Sequence, residues 1–274
     1  ILKEANYATG IFGKWHLGDN YPFRPSEQGF DESLIHLAGG IGQVGDFTNY
    51  YKGNTSYFDP ILWKNNKQNQ YKGYCSDIFA ENAIEFIEKN KNNSFFCYLS
   101  FNAPHTPLQV PEKYYNMYKD LDPELGFKGE SLALKMSKKD KEDARRIYGM
   151  VTNIDDNVGK VLNKLTELGI EEDTIIIFMT DNGPQQFRYN SNMKGLKGTV
   201  YNGGTRVPFY IKYAGKFKNS KVINRMSAHI DVLPTILELC NLNVPNDRKI
   251  DGQSLVSLIN SKTFNDRYLF SYWT

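Results

Sequence analysis

The sequence lacks three features that would each have narrowed its class: a long apolar run, an excess of one charge and paired cysteines. No apolar run reaches the roughly 20 residues that a membrane-spanning helix requires. Lys and Arg number 33 and Asp and Glu 31, and this near balance gives no reason to expect nucleic acid or an anionic membrane surface as a partner. The three cysteines show no metal-ligand spacing, and their odd number excludes a fully paired disulfide framework.

An initial Met and a signal peptide are also absent, because the chain begins at Ile1. Its first residues predict the end of a helix. It ends in an apolar run over residues 268–274, which predicts a strand with nothing after it. We therefore expect a fragment of a longer protein, and the missing signal peptide then carries no information on compartment. The 274 residues, 40% of them hydrophobic, are ample for one sizeable core.

The most informative stretch is an unbroken run of apolar and β-branched side chains at residues 174–179. Such a run predicts a strand buried on both faces. It stops at a turn signal, Thr-Asp-Asn-Gly-Pro over residues 180–184, that contains Asp181 and Asn182. A carboxylate and an amide thus follow a strand, at the edge where open α/β sheets bind ligands, and both side chains suit calcium or magnesium. A plain Asp-Asn-Gly turn is the competing interpretation.

A second polar pair follows a short strand near the start of the chain. Residues 9–12 predict this strand, and Lys14 and His16 would then lie on one face, because side chains two positions apart point the same way. A cation beside an imidazole suits an anionic substrate. A surface Lys beside a packed His explains the same pattern equally well.

A third strand is predicted over residues 94–101, and it runs into a segment that holds His105 between Pro104 and Pro107. The two prolines limit the freedom of the backbone on both sides of the imidazole. His105 therefore also lies just beyond a strand end, where it could meet the other polar side chains. A capping or packed His is the alternative interpretation.

A glycine-rich segment over residues 192–208 adds three cations, Lys194, Lys197 and Arg206. Glycines allow close approach of the backbone, and the cations could meet an anion there. The segment is not a P-loop, because the spacing from glycine to lysine is wrong for that motif.

The clearest helix begins at a capping-box pattern, Ser137 to Asp140, and continues through apolar residues every three or four positions to Gly169. A shorter helix is predicted over residues 77–89. We interpret Asp155 and Asp156 in the long helix as a solvated or capping pair rather than as catalytic groups.

Two other histidines are assigned structural roles. His229 and Asp231 could look like a catalytic pair, but they stand at the start of a predicted helix, which favours helix-start and packing roles. His36 lies in residues 19–74, a stretch rich in Gly, Tyr, Asn and Lys with little periodicity, which predicts a loop-rich excursion. Residues 112–136 predict a surface loop.

Strands alternate with helices along the chain, which predicts an α/β fold with a mostly parallel, mixed central sheet and helices on both faces. Three strands end in the polar groups named above, and the loop that carries Lys197 follows. Together they predict a cationic, metal-competent pocket for an oxyanion ester.

These motifs, in their order, resemble those of the sulfatase family within the alkaline phosphatase superfamily. Residues 7–18 are similar to the second sulfatase signature almost letter for letter. The other matching stretches are residues 103–107, 180–183, 197–208, 229–235 and 251–255. The resemblance implies an alkaline-phosphatase-like fold, with a catalytic domain over residues 1–264 and the first strand of a small antiparallel subdomain over residues 265–274.

The resemblance also implies a role for each matching side chain. Lys14 and Lys197 would bind the sulfate oxygens. His16 would hydrogen-bond the nucleophile and help to expel sulfate from the covalent intermediate. His105 would lie by the leaving-group oxygen and act with Lys197 as the acid. Asn202 replaces the Glu that is usual in the family, and we expect no effect on the chemistry.

Asp181 and Asn182 would be two ligands of a calcium ion, with magnesium as the alternative. The family's nucleophile is a formylglycine made from a Cys/Ser-x-Pro-x-Arg motif by a formylglycine-generating enzyme, and the sequence contains no such motif. The Asp pair that opens the family's metal site is also absent, and both would fall before Ile1. We therefore predict that the isolated chain is inactive.

The resemblance leaves three functions to compare. The first is a calcium-dependent sulfuric ester hydrolase that acts on sulfated carbohydrate or an aryl sulfate, in the periplasm or outside the cell. The second is a phosphoester or phosphonate hydrolase of the same superfamily, and the third is a non-catalytic glycan-binding relic. Lys14 and Lys197 occupy positions where a phosphohydrolase would carry ligands of a second metal, and this favours a sulfate ester as substrate.

Overall fold

Seven strands and six helices are found in the computed structural model of the chain, which describes residues 1–126, 135–217 and 220–272. The strands are β1 (Ala8–Lys14), β2 (Glu32–His36), β3 (Ile61–Lys64), β4 (Lys67–Gln70), β5 (Phe95–Ser100), β6 (Ile176–Met179) and β7 (Phe209–Lys212). The helices are α1 (Cys75–Lys89), α2 (Glu112–Tyr115), α3 (Lys138–Glu167), α4 (Asn202–Thr205), α5 (Val232–Leu239) and α6 (Val256–Ile259). None of these helices is both long and apolar enough to cross a membrane.

The strands form two sheets. The larger has the order β4-β3-β2-β1-β5, in which β1 runs parallel to β2 and β5 while β3 is antiparallel to β2 and β4. Strands β6 and β7 pair antiparallel in a separate small sheet. The predicted mixed α/β architecture is confirmed, and the parallel pairing is concentrated at β1.

Strand β1 is the centre of the core, because it is buried on both faces. Phe12 points into a cluster that contains Phe79 and Phe86 of α1, and helix α3 packs on α1 behind it. Ile11 points the other way, into a smaller cluster with Trp15. Alternate residues of one strand thus fill two apolar layers, as the period of a strand requires.

The long helix α3 confirms the capping-box prediction. The Ser137 side chain accepts a hydrogen bond from the Asp140 amide at 3.1 Å, and the Asp140 carboxylate accepts one from the Ser137 amide at 3.0 Å. Beyond the helix end, Gly169 has a left-handed φ of 70°, which glycine adopts without a Cβ clash. Asp156 accepts a hydrogen bond from the Tyr114 hydroxyl at 2.8 Å, so it has a packing role.

The strand predicted over residues 174–179 is shorter and more exposed than expected. Strand β6 covers four residues, none of them fully buried, and Phe178 is 38% exposed. The prediction of burial on both faces is therefore wrong. Among the described strands only β7 pairs with β6, and an apolar run in the sequence does not reveal how many neighbours cover it.

Several connecting segments also differ from their predictions. Residues 19–74 contain β2, β3 and β4, and the last two form a hairpin across Asn65 and Asn66, which both have left-handed φ angles.

The chain start, the 112–136 loop and the chain end also differ from their predictions. Residues 2–6 form turns rather than a helix. Helix α2 lies within the predicted 112–136 loop, of which residues 127–134 lie outside the described chain. The strand expected at the end is not formed over residues 268–272, while 273–274 are outside the described residues. The division at residue 264 stays a prediction.

Candidate active site

The carboxyl ends of β1 and β5 are joined tightly, and this junction fixes Lys14. Gly13 has a φ of 129°, and a Cβ at this position would lie only 1.9 Å from the Ser100 carbonyl oxygen. The Ser100 hydroxyl donates to the Lys14 carbonyl at 2.7 Å. Because only glycine permits such an approach, the last residue of β1 is held at the edge of the sheet beside β5.

Lys14 is half-buried at this edge, and its ammonium group interacts electrostatically with two other charged residues of the site. Burial lowers the pKa of its ammonium group, the nearby Lys197 lowers it further, and the Asp181 carboxylate opposes both effects. These interactions show that Lys14, Lys197 and Asp181 lie near one another, although β1 and β6 belong to different sheets. Two cations close to each other destabilise one another until an anion binds between them.

His105 is oriented by bonds to its own segment. Its Nδ1 lies 2.8 Å from the Thr106 carbonyl oxygen, which can only accept, so Nδ1 carries the proton and Nε2 is left for a ligand. Its carbonyl accepts a hydrogen bond from the buried Tyr57 hydroxyl at 2.6 Å. Burial lowers the pKa of the imidazole, and the cations Lys14 and Lys197 add to that effect.

His16 reaches the site in a way that the sequence did not predict. Strand β1 ends at Lys14, and His16 has a left-handed φ of 52°, so the strand alternation does not extend to it. Its ring packs on Gly39, where a Cβ would lie 2.8 Å from Cε1. A Cβ at Gly40 would lie 3.1 Å from Cε1 of His105. Gly39 therefore lies against the His16 imidazole, and Gly40 lies against the His105 imidazole.

The glycine pair and Tyr57 are site residues that the sequence analysis missed. All three lie in the segment predicted as a loop-rich excursion, where no periodicity marks them. The Gly-Gly dipeptide was the available signal, because adjacent glycines often mark a close approach of side chains to the backbone. The bond from Tyr57 to His105 spans 48 positions of sequence and has no local signature.

Asp181 and Asn182 form the predicted turn, and the turn leaves oxygens free. Asp181 Oδ1 accepts from the Asn182 amide at 2.9 Å, and Asn182 Nδ2 donates to the Gly183 carbonyl at 2.8 Å. Asp181 Oδ2 and Asn182 Oδ1 accept no hydrogen bond from any residue of the described chain. The two interpretations of this motif are thus compatible, since the turn presents carboxylate and amide oxygens outward.

These two side chains fit calcium or magnesium in type, because both metals prefer oxygen ligands. They do not complete a site, since calcium takes six to eight such ligands. No group of three or more His, Cys, Asp or Glu side chains that could hold a metal occurs among residues 1–126, 135–217 and 220–272.

Lys197 stands at the neck of a loop that begins just after the Asp-Asn turn. Its amide donates to the Pro184 carbonyl at 2.8 Å, which closes residues 184–197 into a loop. Lys194 in the same loop has its ammonium 4.0 Å from the centre of the Tyr201 ring, and Arg206 is exposed. Of the three cations predicted to meet an anion, Lys197 is the one whose charge reaches Lys14 and His105.

His229 and Asp231 do not form a pair with each other. Asp231 is fully buried; Arg267 donates to Oδ1 at 2.7 Å and also to Oδ2, and the Ala228 and Gln253 amides donate to the same carboxylate. His229 Nε2 instead donates to the Thr180 carbonyl at 2.8 Å. Asp231 therefore has the packing role that the sequence predicted, and the exposed His229 has the other predicted role, at the start of a short 3₁₀ helix, His229–Asp231.

His36 ends β2 directly beside Lys14 of β1. It is fully buried, and its Nδ1 donates to the Leu37 carbonyl at 2.9 Å. Burial lowers the pKa of its imidazole to about 4, so a neutral ring and not a further cation adjoins Lys14 at neutral pH.

Comparison with known proteins adds to this geometry. The family model described as Sulfatase matches residues 1–242. The N-acetylgalactosamine-6-sulfatase of Mus musculus is 29% identical over 293 residues, covering 99% of this chain and 50% of that protein. The arylsulfatase of Clostridium perfringens is 29% identical over 303 residues, covering 95% of this chain and 61% of that protein.

Solved structures agree with these relatives. The crystal structure of Ps i-CgsB in complex with k-i-k-neocarrahexaose superposes with a TM-score of 0.78 at 30% identity, covering 95% of this chain and 57% of that one. The phosphonate monoester hydrolase of Agrobacterium radiobacter superposes with a TM-score of 0.67 at 19% identity, which shows a shared fold alone. The chain spans about half the length of the curated relatives that it matches, between 46% and 61%. Because the family model covers most of its residues, the chain belongs to the sulfatase family.

Proposed function

We propose that this chain carries the substrate-binding and proton-transfer side of a sulfuric ester hydrolase that acts on sulfated carbohydrate. The observation that carries the proposal is the proximity of four side chains that follow strands of two different sheets and whose charges interact, Lys14, His105, Lys197 and Asp181. A sulfate ester is an anion, and negative charge grows on its leaving oxygen as the S–O bond breaks. Fixed cations and a positioned proton donor stabilise that change.

In this proposal Lys14 and Lys197 bind the sulfate oxygens. His105 faces the leaving oxygen with Nε2, because its Nδ1 is bonded to Thr106. The bound anion offsets the two lysines, so it raises the pKa of His105 and favours the protonated imidazole that the acid role needs. Lys197 assists in protonating the leaving alcohol, and His16 hydrogen-bonds the nucleophile and helps to expel sulfate.

Two groups outside these side chains complete the proposal. Asp181 and Asn182 would contribute two oxygen ligands to a calcium ion, or to magnesium. A formylglycine, carried outside these 274 residues and made by a formylglycine-generating enzyme, would supply the hydroxyl nucleophile, while the metal would neutralise charge on the sulfate. The isolated chain is then expected to bind sulfate but not to turn over a sulfate ester.

The substrate class follows from the relatives. The mouse relative is named for a sulfated amino sugar, and Ps i-CgsB was crystallised with neocarrahexaose. Both support sulfated carbohydrate over a simple aryl sulfate as the natural substrate. We place the protein in the periplasm or outside the cell on the same family grounds.

The test compares sulfate and phosphate esters. A longer protein that contains this chain and the nucleophile should hydrolyse 4-nitrophenyl sulfate, and Lys14→Ala should reduce kcat/KM by on the order of 100-fold or more. Lys194→Ala, which removes a cation engaged by Tyr201, is the matched control and should change little. Preference for 4-nitrophenyl phosphate would favour the phosphohydrolase alternative, and binding without any turnover would favour the glycan-binding relic. If the 274-residue chain hydrolysed a sulfate ester faster than its own Lys14→Ala variant, the proposal that the nucleophile lies outside the chain would be wrong.

A further inference from the structure

The ring of His105 has two nitrogens, and the hydrogen bond at one of them decides which one can exchange a proton with a substrate. Nδ1 donates to the Thr106 carbonyl at 2.8 Å, so the proton that is gained and lost is the one at Nε2. Because Pro107 has no N–H, that carbonyl is the sole main-chain hydrogen-bonding group of the peptide between Thr106 and Pro107. A second donor that fixes this carbonyl would therefore fix the imidazole as well.

Gln43 is that second donor. Its Nε2 donates to the Thr106 carbonyl at 3.0 Å and to the Thr106 hydroxyl at 2.7 Å, across 63 positions of sequence. The orientation of the Gln43 amide is settled by chemistry, since the carbonyl oxygen can only accept and must therefore face the nitrogen. A carbonyl oxygen has two lone pairs, so the Thr106 carbonyl accepts from His105 with one and from Gln43 with the other.

Gln43 itself lies in a turn that is held on both sides. Its amide donates to the Gly40 carbonyl at 3.1 Å, and its carbonyl accepts from the Asp46 amide at 3.0 Å. Asp46 is fully buried, and its Oδ2 accepts from the Gly42 amide at 2.7 Å. The backbone that carries Gln43 is thus fixed before any substrate binds, which lowers the entropy cost of orienting its side chain.

Gln43 and His105 also approach the same glycine. A Cβ at Gly40 would lie 2.7 Å from Gln43 Oε1 and 3.1 Å from His105 Cε1. Both side chains therefore occupy the space that a side chain at residue 40 would need. The carboxamide of Gln43 lies close to the imidazole that it holds through Thr106.

We propose that Gln43 is a positioning residue for proton transfer by His105. It holds the Thr106 carbonyl where Nδ1–H bonds to it, so that Nε2 alone faces the leaving oxygen. As the S–O bond breaks, its electron pair stays on the leaving oxygen, and the proton of Nε2 moves to that oxygen. The ring is left neutral, with Nδ1–H still bonded to Thr106. The effect on rate rests on the proposed function, which gives His105 the acid role, whereas the tautomer does not.

The first experiment measures the tautomer of His105 in the 274-residue chain. Long-range proton–nitrogen NMR spectra distinguish Nδ1–H from Nε2–H rings at about pH 8, where His105 is neutral because burial, Lys14 and Lys197 lower its pKa. We expect Nδ1–H alone in the wild type. Gln43→Leu removes both hydrogen bonds at similar volume, and the Nε2–H form should then reach about a tenth of the rings or more.

Two further variants separate the donor from the shape of the side chain. Gln43→Glu keeps the shape and can accept from the Thr106 hydroxyl, but a carboxylate cannot donate to the carbonyl, so it should behave as Gln43→Leu does. Gln70→Leu is the matched control, because Gln70 Nε2 also donates to a main-chain carbonyl, that of Tyr71 at 3.2 Å, in the outer strand β4. It should change nothing at His105. If thermal unfolding shows that Gln43→Leu does not fold, Gln43→Glu supplies the test.

The second experiment asks whether the fixed tautomer matters for proton transfer. A longer protein that contains this chain and the nucleophile is assayed with 4-nitrophenyl sulfate and with phenyl sulfate. The leaving oxygen of phenyl sulfate is the stronger base, so its departure depends more on an acid. Gln43→Leu should lower kcat/KM by about tenfold for phenyl sulfate and by less than about threefold for 4-nitrophenyl sulfate. A merely structural role for Gln43 would lower both values equally.

The positioning role and the proposed function fail in different ways. A mixed tautomer in the wild type, Nδ1–H alone in Gln43→Leu or Gln43→Glu, or a change of tautomer in Gln70→Leu would overturn the role of Gln43. Equal losses of kcat/KM with the two esters would do the same, and the proposed function would remain. If the tautomer depends on Gln43 but the longer wild-type protein hydrolyses neither sulfate ester, the proposed function is overturned while the hold of Gln43 on His105 remains.

Discussion

The two sheets contribute to the site in different ways. Strand β1 is buried along five of its seven residues and hydrogen-bonds to a strand on each side, whereas β6 has no fully buried residue and pairs with β7 alone among the described strands. Lys14 and His105 therefore stand on a rigid base, and Asp181 stands on an exposed turn. The comparison teaches that the half of the site with Lys14 and His105 is preorganised by the core. The half with Asp181 and Lys197 depends on short-range bonds of a turn and a loop.

The largest expected effect separates the stabilities of the two regions. Phe12→Ala removes a fully buried ring between β1 and α1 and should lower the free energy of unfolding by about 3–5 kcal/mol. Phe178→Ala, in β6, removes a ring that is 38% exposed and should cost less than about 1.5 kcal/mol. Urea denaturation measures both values. Equal losses would mean that β6 is as much a part of the core as β1.

An effect of middle size concerns His36, which supports β1 from the neighbouring strand. Its pKa in the folded chain is about 4, below the ordinary value of 6.5, because burial disfavours the charged ring; Lys14 and His105 act in the same direction, and the Leu37 carbonyl and Asp46 oppose them. A lowered folded-state pKa means that the unfolded chain binds the proton more tightly. The contribution of His36 to the free energy of unfolding is then fully present above pH 6.5. It is lost as the pH drops towards 4, by at most about 3 kcal/mol.

The pH dependence of unfolding, measured in the wild type and in His36→Asn, tests this prediction. The variant should be less stable at neutral pH, and its stability should change less between pH 6.5 and 4. An unchanged slope over that range would assign the pH dependence to other groups.

The smallest effect sharpens the link between the two halves of the site. Lys197→Met removes a cation that lowers the pKa of His105, so that pKa should rise. The C–H resonances of His105 report the titration by NMR. Lys194→Met serves as the comparison, because the Lys194 ammonium is over the Tyr201 ring, and it should leave His105 unchanged. A shift of equal size in both variants would show that the loop acts through its net charge and not through Lys197.

Much of the first region could be predicted from the sequence. Helix α3 has a capping box and a long apolar stripe, and β5 is a short apolar run ahead of a proline segment, so local signals agree with the fold. The proximity of Lys14, His105 and Asp181 was predicted from one rule, that ligands bind where the strands of an α/β sheet end, and Lys197 was added from the glycine-rich loop. That rule needs no knowledge of which strands pair.

What could not be predicted depends on contacts distant in sequence. The polar hairpin of β3 and β4 has no apolar alternation, and the two asparagines at its turn were its one local signal. Gly39 and Gly40 matter because two imidazoles pack on them, and Tyr57 matters because its hydroxyl reaches His105. An apolar run such as residues 174–179 predicts a strand, but it does not show how many neighbouring strands will cover it.

The ends of the larger sheet have a practical consequence for the purified chain. Strand β4 closes one end with the polar sequence Lys-Gln-Asn-Gln, whose residues are all exposed and which discourages further strands from adding. Strand β5 closes the other end with Phe-Phe-Cys-Tyr-Leu-Ser, which carries no charge and no proline, and Tyr98 in it is 43% exposed. Among the described residues β5 pairs with β1 alone, so its outer backbone groups are a template for another strand. Concentrated solutions of the chain should therefore self-associate through β5, and a lysine at Tyr98 is the substitution that would improve its solubility.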